Sequence, residues 1–136
     1  MIDFRPHHLG ISVPDLEASI TWYESVLEFK LESQLNVDVI PAKIAFLKRG
    51  DFRIELFEVP GASSLPDDRR IPNLDLKTHG TKHLAFSVPD VDALVLELQS
   101  RGADIAMHIR VHGKPTAFIR DNSGNLLEFV QASDFA

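Results

Sequence analysis

The chain has 136 residues, 44% of them hydrophobic and 25% charged, and a formal net charge of −6. These are the proportions of one globular domain with a modest core, and the acidic balance speaks against nucleic acid or an anionic membrane as the main partner. There is no cysteine, which excludes disulfides, thiolate ligands and a Cys nucleophile.

In chain order, Met1 to Pro6 lacks the charged-then-apolar pattern of a signal peptide. No apolar run is long enough to span a bilayer. A cytoplasmic location is the expectation. The segment His8 to Val13 alternates like a strand, and Pro14-Asp15 then offers a turn and a helix N-cap. From Leu16 to Phe29, the residues Leu16, Ile20, Tyr23 and Leu27 recur on one helical face. Three β-prone runs follow, about Leu31 to Val37, Ala42 to Lys48 and Phe52 to Val59. The segment 61–79 is rich in Pro, Ser and charge and reads as a linker, with Asp67, Asp68, Arg69 and Arg70 in a solvated loop.

A second β-α-β-β-β series follows. Lys82 to Val88 is a strand, and Asp90 caps a helix with Val91, Leu94, Val95 and Leu98 on one face. Gly102 stops that helix. Strands are expected near Ile105 to Ile109, Thr116 to Arg120 and Leu126 to Ala132, with turn chemistry in Asp121-Asn122-Ser123-Gly124-Asn125. The chain therefore reads as one domain, 1–136, made of module one (about 4–60), a linker (about 61–79) and module two (about 80–132).

The two series are copies of each other. His8-Leu9-Gly10-Ile11-Ser12-Val13-Pro14-Asp15-Leu16-Glu17-Ala18 returns as His83-Leu84-Ala85-Phe86-Ser87-Val88-Pro89-Asp90-Val91-Asp92-Ala93. The ends match too: Ile54-Glu55-Leu56-Phe57-Glu58-Val59 corresponds to Leu127-Glu128-Phe129-Val130-Gln131-Ala132. Each half thus opens on a His strand and closes on a Glu strand. Alternation puts Leu9, Ile11, Val13, Ile54 and Leu56 on one face and His8 and Glu55 on the other, and module two does the same with His83 and Glu128. A carboxylate among Leu126 and Val130 needs a compensating cation or hydrogen bonds. Two neutral imidazoles and two carboxylates balance a 2+ ion, and mixed N/O ligation suits Ni, Co, Zn, Mn or Fe without choosing among them.

The repeated motif, together with Trp22-Tyr23-Glu24-Ser25-Val26-Leu27-Glu28-Phe29 and Arg120-Asp121-Asn122-Ser123-Gly124-Asn125-Leu126-Leu127-Glu128, resembles the vicinal oxygen chelate superfamily. That group includes glyoxalase I, methylmalonyl-CoA epimerase, extradiol dioxygenases and bleomycin-binding proteins. The resemblance covers nearly the whole chain. It implies an α+β fold in which two tandem βαβββ modules form a curved mixed sheet around a metal-binding cleft. It places one divalent ion per site on His8, Glu55, His83 and Glu128, a set similar to that of glyoxalase I. It also implies a homodimer and a small-molecule substrate with vicinal oxygens, such as a hydroxycarbonyl or ketoacid. The expected activity is that of a lyase or isomerase working through a metal-stabilised enediolate, with Glu128 or Glu55 as the catalytic base. The alternatives are an Fe(II) dioxygenase and a non-catalytic binding or resistance protein. Ser12 and Val59 stand where bacterial glyoxalase I has an Arg and an Asn, which argues against glutathione.

The remaining polar residues carry blander expectations. His7 alternates away from His8 and reads as a core-edge or surface residue. His79 and His108 line a cleft or titrate in solvent, and His112, beside the Gly113-Lys114-Pro115 turn, is a candidate substrate contact. Arg120 is expected to pair with Asp121 or solvent. Trp22 and Tyr23 read as packing residues.

Overall fold

A computed structural model describes residues 1–132; residues 133–136, the end of the expected domain, lie outside it. The fold is α+β with two βαβββ modules in tandem. Strand β1 (Leu9–Ser12) leads into helix α1 (Leu16–Leu27), followed by β2 (Lys30–Val37), β3 (Ala42–Arg49) and β4 (Phe52–Glu58). A 3-10 turn (Asp67–Arg70) and the short helix α2 (Pro72–Asp75) come next. The second module comprises β5 (Leu84–Val88), α3 (Val91–Ser100), β6 (Asp104–Val111), β7 (Lys114–Arg120) and β8 (Leu126–Gln131). The strands form two mixed sheets of four, ordered β1-β4-β3-β2 and β5-β8-β7-β6. The expected mixed sheet is therefore built as one four-stranded sheet per module.

The chain divides into compact units at Met1–Ser64 and Leu65–Ala136. The boundary falls inside the expected linker, whose second part belongs with module two. The solvated loop expected at 67–70 is instead ordered: Asp67 and Asp68 are exposed, but Arg69 and Arg70 are half-buried.

In the first unit, α1 starts where Asp15 accepts from the Ala18 N–H at 3.0 Å, and Leu16, Ile20, Tyr23 and Leu27 bury the predicted face. They meet β3 and β4, whose Ala45, Leu47, Ile54 and Leu56 are fully buried. Each large apolar side chain buried this way contributes about 1.5–3 kcal/mol, so this face sets which way the sheet turns. Trp22 lies against Tyr23, with ring centroids 4.9 Å apart.

The second unit repeats the plan. Asp90 accepts from the Ala93 N–H at 2.9 Å, and Val91, Val95 and Leu98 are buried under α3. Gly102, at φ 84°, follows the helix and lets the Ala103 N–H return to the Leu98 carbonyl, the expected glycine stop. Ala117, Ile119, Leu127 and Phe129 form the buried face of the sheet. Both modules break register at the same place: between Leu31 and Ser33 in β2, and between Ile105 and Met107 in β6. A bulge there re-aims the strand.

Within each sheet the first and last strands are parallel neighbours. Gly10 pairs with Glu55 in register, and Ala85 with Glu128. Because cross-strand partners share a face, the Glu of each module stands beside the start of the strand that follows its His. No helix among the described residues is long and apolar enough to cross a membrane.

Candidate metal centre

His8 and His83 each sit one residue before a strand, on the face away from the core. His8 Nε2 is 3.7 Å from Glu55 Oε1. His83 Nε2 is 2.8 Å from Glu128 Oε2. The Glu side chains are only 16% and 18% exposed, whereas the imidazoles are 34% and 24% exposed. Each carboxylate is therefore drawn into the sheet while its histidine faces outward, as a half-open ligand pair requires.

The four predicted residues thus come together as two His–Glu pairs, one per module. Among the described residues no group of three or more His, Asp or Glu side chains gathers as a metal cluster. Each pair by itself fits a divalent ion. With metal–ligand bonds near 2.0–2.2 Å, neighbouring N and O ligands lie about 3.0–3.5 Å apart, and 2.8 and 3.7 Å bracket that range. The donors are of the borderline-hard N/O type that Zn, Ni, Co, Mn and Fe(II) accept.

Two residues that pattern reading missed shape these pairs. Phe46 lies opposite Glu55 in the β3–β4 register, and Phe118 lies opposite Glu128 in the β7–β8 register. Phe46 packs edge-on against His8 with centroids 5.3 Å apart, and Phe118 against His83 at 4.9 Å. The repeat carried the signal, since Ala45-Phe46-Leu47 corresponds to Ala117-Phe118-Ile119. Space for this face comes from Gly10, where an added Cβ would stand 3.1 Å from the Phe57 ring.

The nearby charges are largely committed elsewhere. Arg53 holds Glu32 through two hydrogen bonds of 2.8 and 3.1 Å. That hydrogen bond keeps the Glu32 carboxyl below its ordinary range and the Arg53 guanidinium above its own. Arg120 pairs with Asp104 at 3.1 Å and donates to the Arg70 carbonyl, so its expected pairing with Asp121 is replaced by a hold on the 3-10 turn. Asp121 instead caps its own turn, accepting from the Ser123 and Asn125 N–H groups at 2.9 Å.

The other histidines stand outside the pairs. His108 contacts Asp92 of α3 at 2.7 Å, and Arg110 joins it at 2.9 Å. His112 (φ 50°) and Gly113 (φ 77°) form the two-residue turn between β6 and β7. His79 is exposed. His7 is exposed, as a surface residue should be, but it does not turn away from His8: the two Nδ1 atoms lie 2.7 Å apart. Alternation was no guide there, because the strand starts only at Leu9.

The family model of the Glyoxalase/Bleomycin resistance protein/Dioxygenase superfamily matches residues 5–129. The chain belongs to this superfamily. Among its superfamily relatives, human mitochondrial methylmalonyl-CoA epimerase is 28% identical over 94% of this chain and 74% of its own length. The lactoylglutathione lyase of Pseudomonas aeruginosa is 27% identical, with 93% of this chain and 82% of the relative covered. A glyoxalase family protein from Enterococcus faecalis has the same fold, with a TM-score of 0.79 at 22% identity over 93% of this chain and 96% of that one.

Proposed function

We propose that the protein is a divalent-metal-dependent isomerase or lyase that moves a proton at a carbon next to a carbonyl. The observation that carries this reading is the pair of in-register His–Glu couples, each half-open and each backed by a Phe. The superfamily includes an epimerase and a lyase among the relatives of this chain, and both names suit the same proton chemistry.

In this reading His8, Glu55, His83 and Glu128 hold the ion. When bound, it supplies Lewis-acid stabilisation to two neighbouring oxygens of a substrate as a C–H proton leaves. The carboxylates do the proton transfer. Glu128 lies 2.8 Å from His83, whereas Glu55 stands 3.7 Å from His8, so Glu55 is the carboxylate freer to take a proton from one face and Glu128 the one to deliver a proton to the other. Phe46 and Phe118 keep the imidazole faces dry. We further infer a cytoplasmic homodimer, in which the donor pairs meet within one chain or across two.

Carboxylic thioesters and α-hydroxycarbonyl compounds are the first substrates to test. Solvent deuterium should enter the carbon next to the carbonyl only when a divalent ion is present. Glu55→Gln and Glu128→Gln should each abolish that exchange, and Glu55→Ala should weaken metal binding strongly. Metal retention unaffected by Glu55→Ala, with iron as the resident ion, would point to a dioxygenase with two His and one carboxylate. Failure to take up any divalent ion would leave a small-molecule-binding protein.

A further inference from the structure

The two donor pairs differ one residue before each histidine. The repeat sets His7 against Lys82. Lys82 turns away from its His and is 3.3 Å from the buried Asp75 carboxylate; it also donates to the Asp75 and Thr78 carbonyls. His7 does the opposite and turns onto its neighbour. The two Nδ1 atoms are 2.7 Å apart, and the rings meet edge to face with centroids 5.0 Å apart and planes at 82°. With Phe46 on another side, the His8 ring is held by two aromatic edges and one hydrogen bond.

A neutral imidazole carries one N–H and one lone pair. A hydrogen bond between two Nδ1 atoms therefore needs one of them protonated and the other bare. His8 Nε2 faces Glu55 at 3.7 Å, beyond hydrogen-bond reach, so no carboxylate there accepts an Nε2 proton. His83 is the contrast, since its Nε2 stands 2.8 Å from Glu128 Oε2. The satisfied arrangement at His8 is a proton on its own Nδ1, donated to the bare Nδ1 of His7. That leaves the Nε2 lone pair open on the Glu55 side.

We propose that His7 is a positioning residue: it accepts the His8 Nδ1 proton, fixes the tautomer with a bare Nε2 and so prepares His8 to ligate a divalent ion. The proposal rests on the reading of His8 as a ligand given above. Outer partners of this kind fix ligand orientation, and their loss typically costs 10–100-fold in metal affinity.

Long-range proton–nitrogen NMR spectra of the metal-free chain read the tautomer directly. His8 should show a protonated Nδ1 and a bare Nε2 in the native protein. His7→Ala should shift His8 toward the Nε2-protonated form. His7→Asn, whose Oδ1 can accept where the His7 nitrogen did, should keep the native form. His83 should be unchanged throughout. Affinity for Zn(II), measured by chelator competition, should fall about tenfold in His7→Ala and recover in His7→Asn. A protonated Nε2 on His8 in the native protein would overturn the proposal. So would a His7→Ala variant with native tautomer, or one with native zinc affinity. If the native chain takes up no divalent ion, the catalytic reading falls, and the spectra alone then decide whether His7 sets His8.

Discussion

Glu58 Oε1, at the end of β4, accepts a hydrogen bond from the backbone N–H of Leu16 at 2.9 Å, so the strand that carries Glu55 also caps α1. The repeat preserves the device with a different side chain: Gln131 Oε1 accepts from the Val91 N–H at 3.1 Å. Both helices thus have two side chains on their first amides, one local and one from the Glu strand. A neutral amide does the same work as a carboxylate, so the acceptor geometry matters more than the charge.

Removal of that acceptor should loosen the helix from its sheet. Glu58→Ala is expected to lower unfolding stability by about 1–2 kcal/mol, as for loss of a helix cap, whereas Glu58→Gln should stay close to native. Urea denaturation of the two variants is the check.

Asp75 is the most buried charged residue among the described residues of the second unit, its side chain 2% exposed, and it faces Arg69 at 3.0 Å and Lys82 at 3.3 Å. Truncating one partner of such a group leaves the others unpaired. Asp75→Ala should cost about 3 kcal/mol, the low end for a buried ion pair, because Arg69 remains one-third exposed. Chemical denaturation gives the loss. Hydrogen exchange should show the change concentrated at 65–82, next to His83.

In the turn before the Glu128 strand, a side chain at Gly124 would press on Arg70. Its φ is 90°, and an added Cβ would stand 3.0–3.1 Å from the Arg70 guanidinium and Cδ. Gly124→Ala should destabilise by more than about 1 kcal/mol through both effects. Arg70→Ala in the same chain should return only the steric part, since the backbone strain stays. Thermal melts of the single and double variants separate the two.

Asp92 gives the acid limb a testable slope. The Arg110 hydrogen bond, then that of His108, holds its carboxyl below the ordinary 3.8. The folded form is thus the weaker proton binder, so its contribution is present above pH 3.8 and fades as pH falls through the lowered value. The group is exposed, so the effect is small and screened by salt. Asp92→Asn should lower the melting temperature slightly at neutral pH, converge with the native chain at low pH and so flatten the acid limb at low ionic strength.

Much of this architecture was legible because it is written twice. The repeat placed His8 with Glu55 and His83 with Glu128, and the helix faces at Leu16, Ile20, Tyr23 and Leu27 came from a period that burial enforces. Phe46 and Phe118 escaped although the repeat carries them, and the rest of what escaped has no period. The contacts of Asp75 with Arg69 and Lys82 join a turn, a helix end and a strand entry, and no local rule links such positions. Arg120 was expected to pair with Asp121 or solvent because its partners, Asp104 and the Arg70 carbonyl, are distant in sequence. The contact of His7 with His8 escaped because alternation was extended past the end of the strand.

The parallel pairing of β1 with β4, and of β5 with β8, has a temporal side. The two strands that bring a His and a Glu together are the first and last to be made in each module, with a helix and two strands between them. Such non-local closure is slow compared with helix or hairpin formation. Each His–Glu pair therefore forms only when its module is complete, and an unfinished chain holds the two side chains apart. If the pairs hold an ion as proposed, its capture waits for a module that has finished folding.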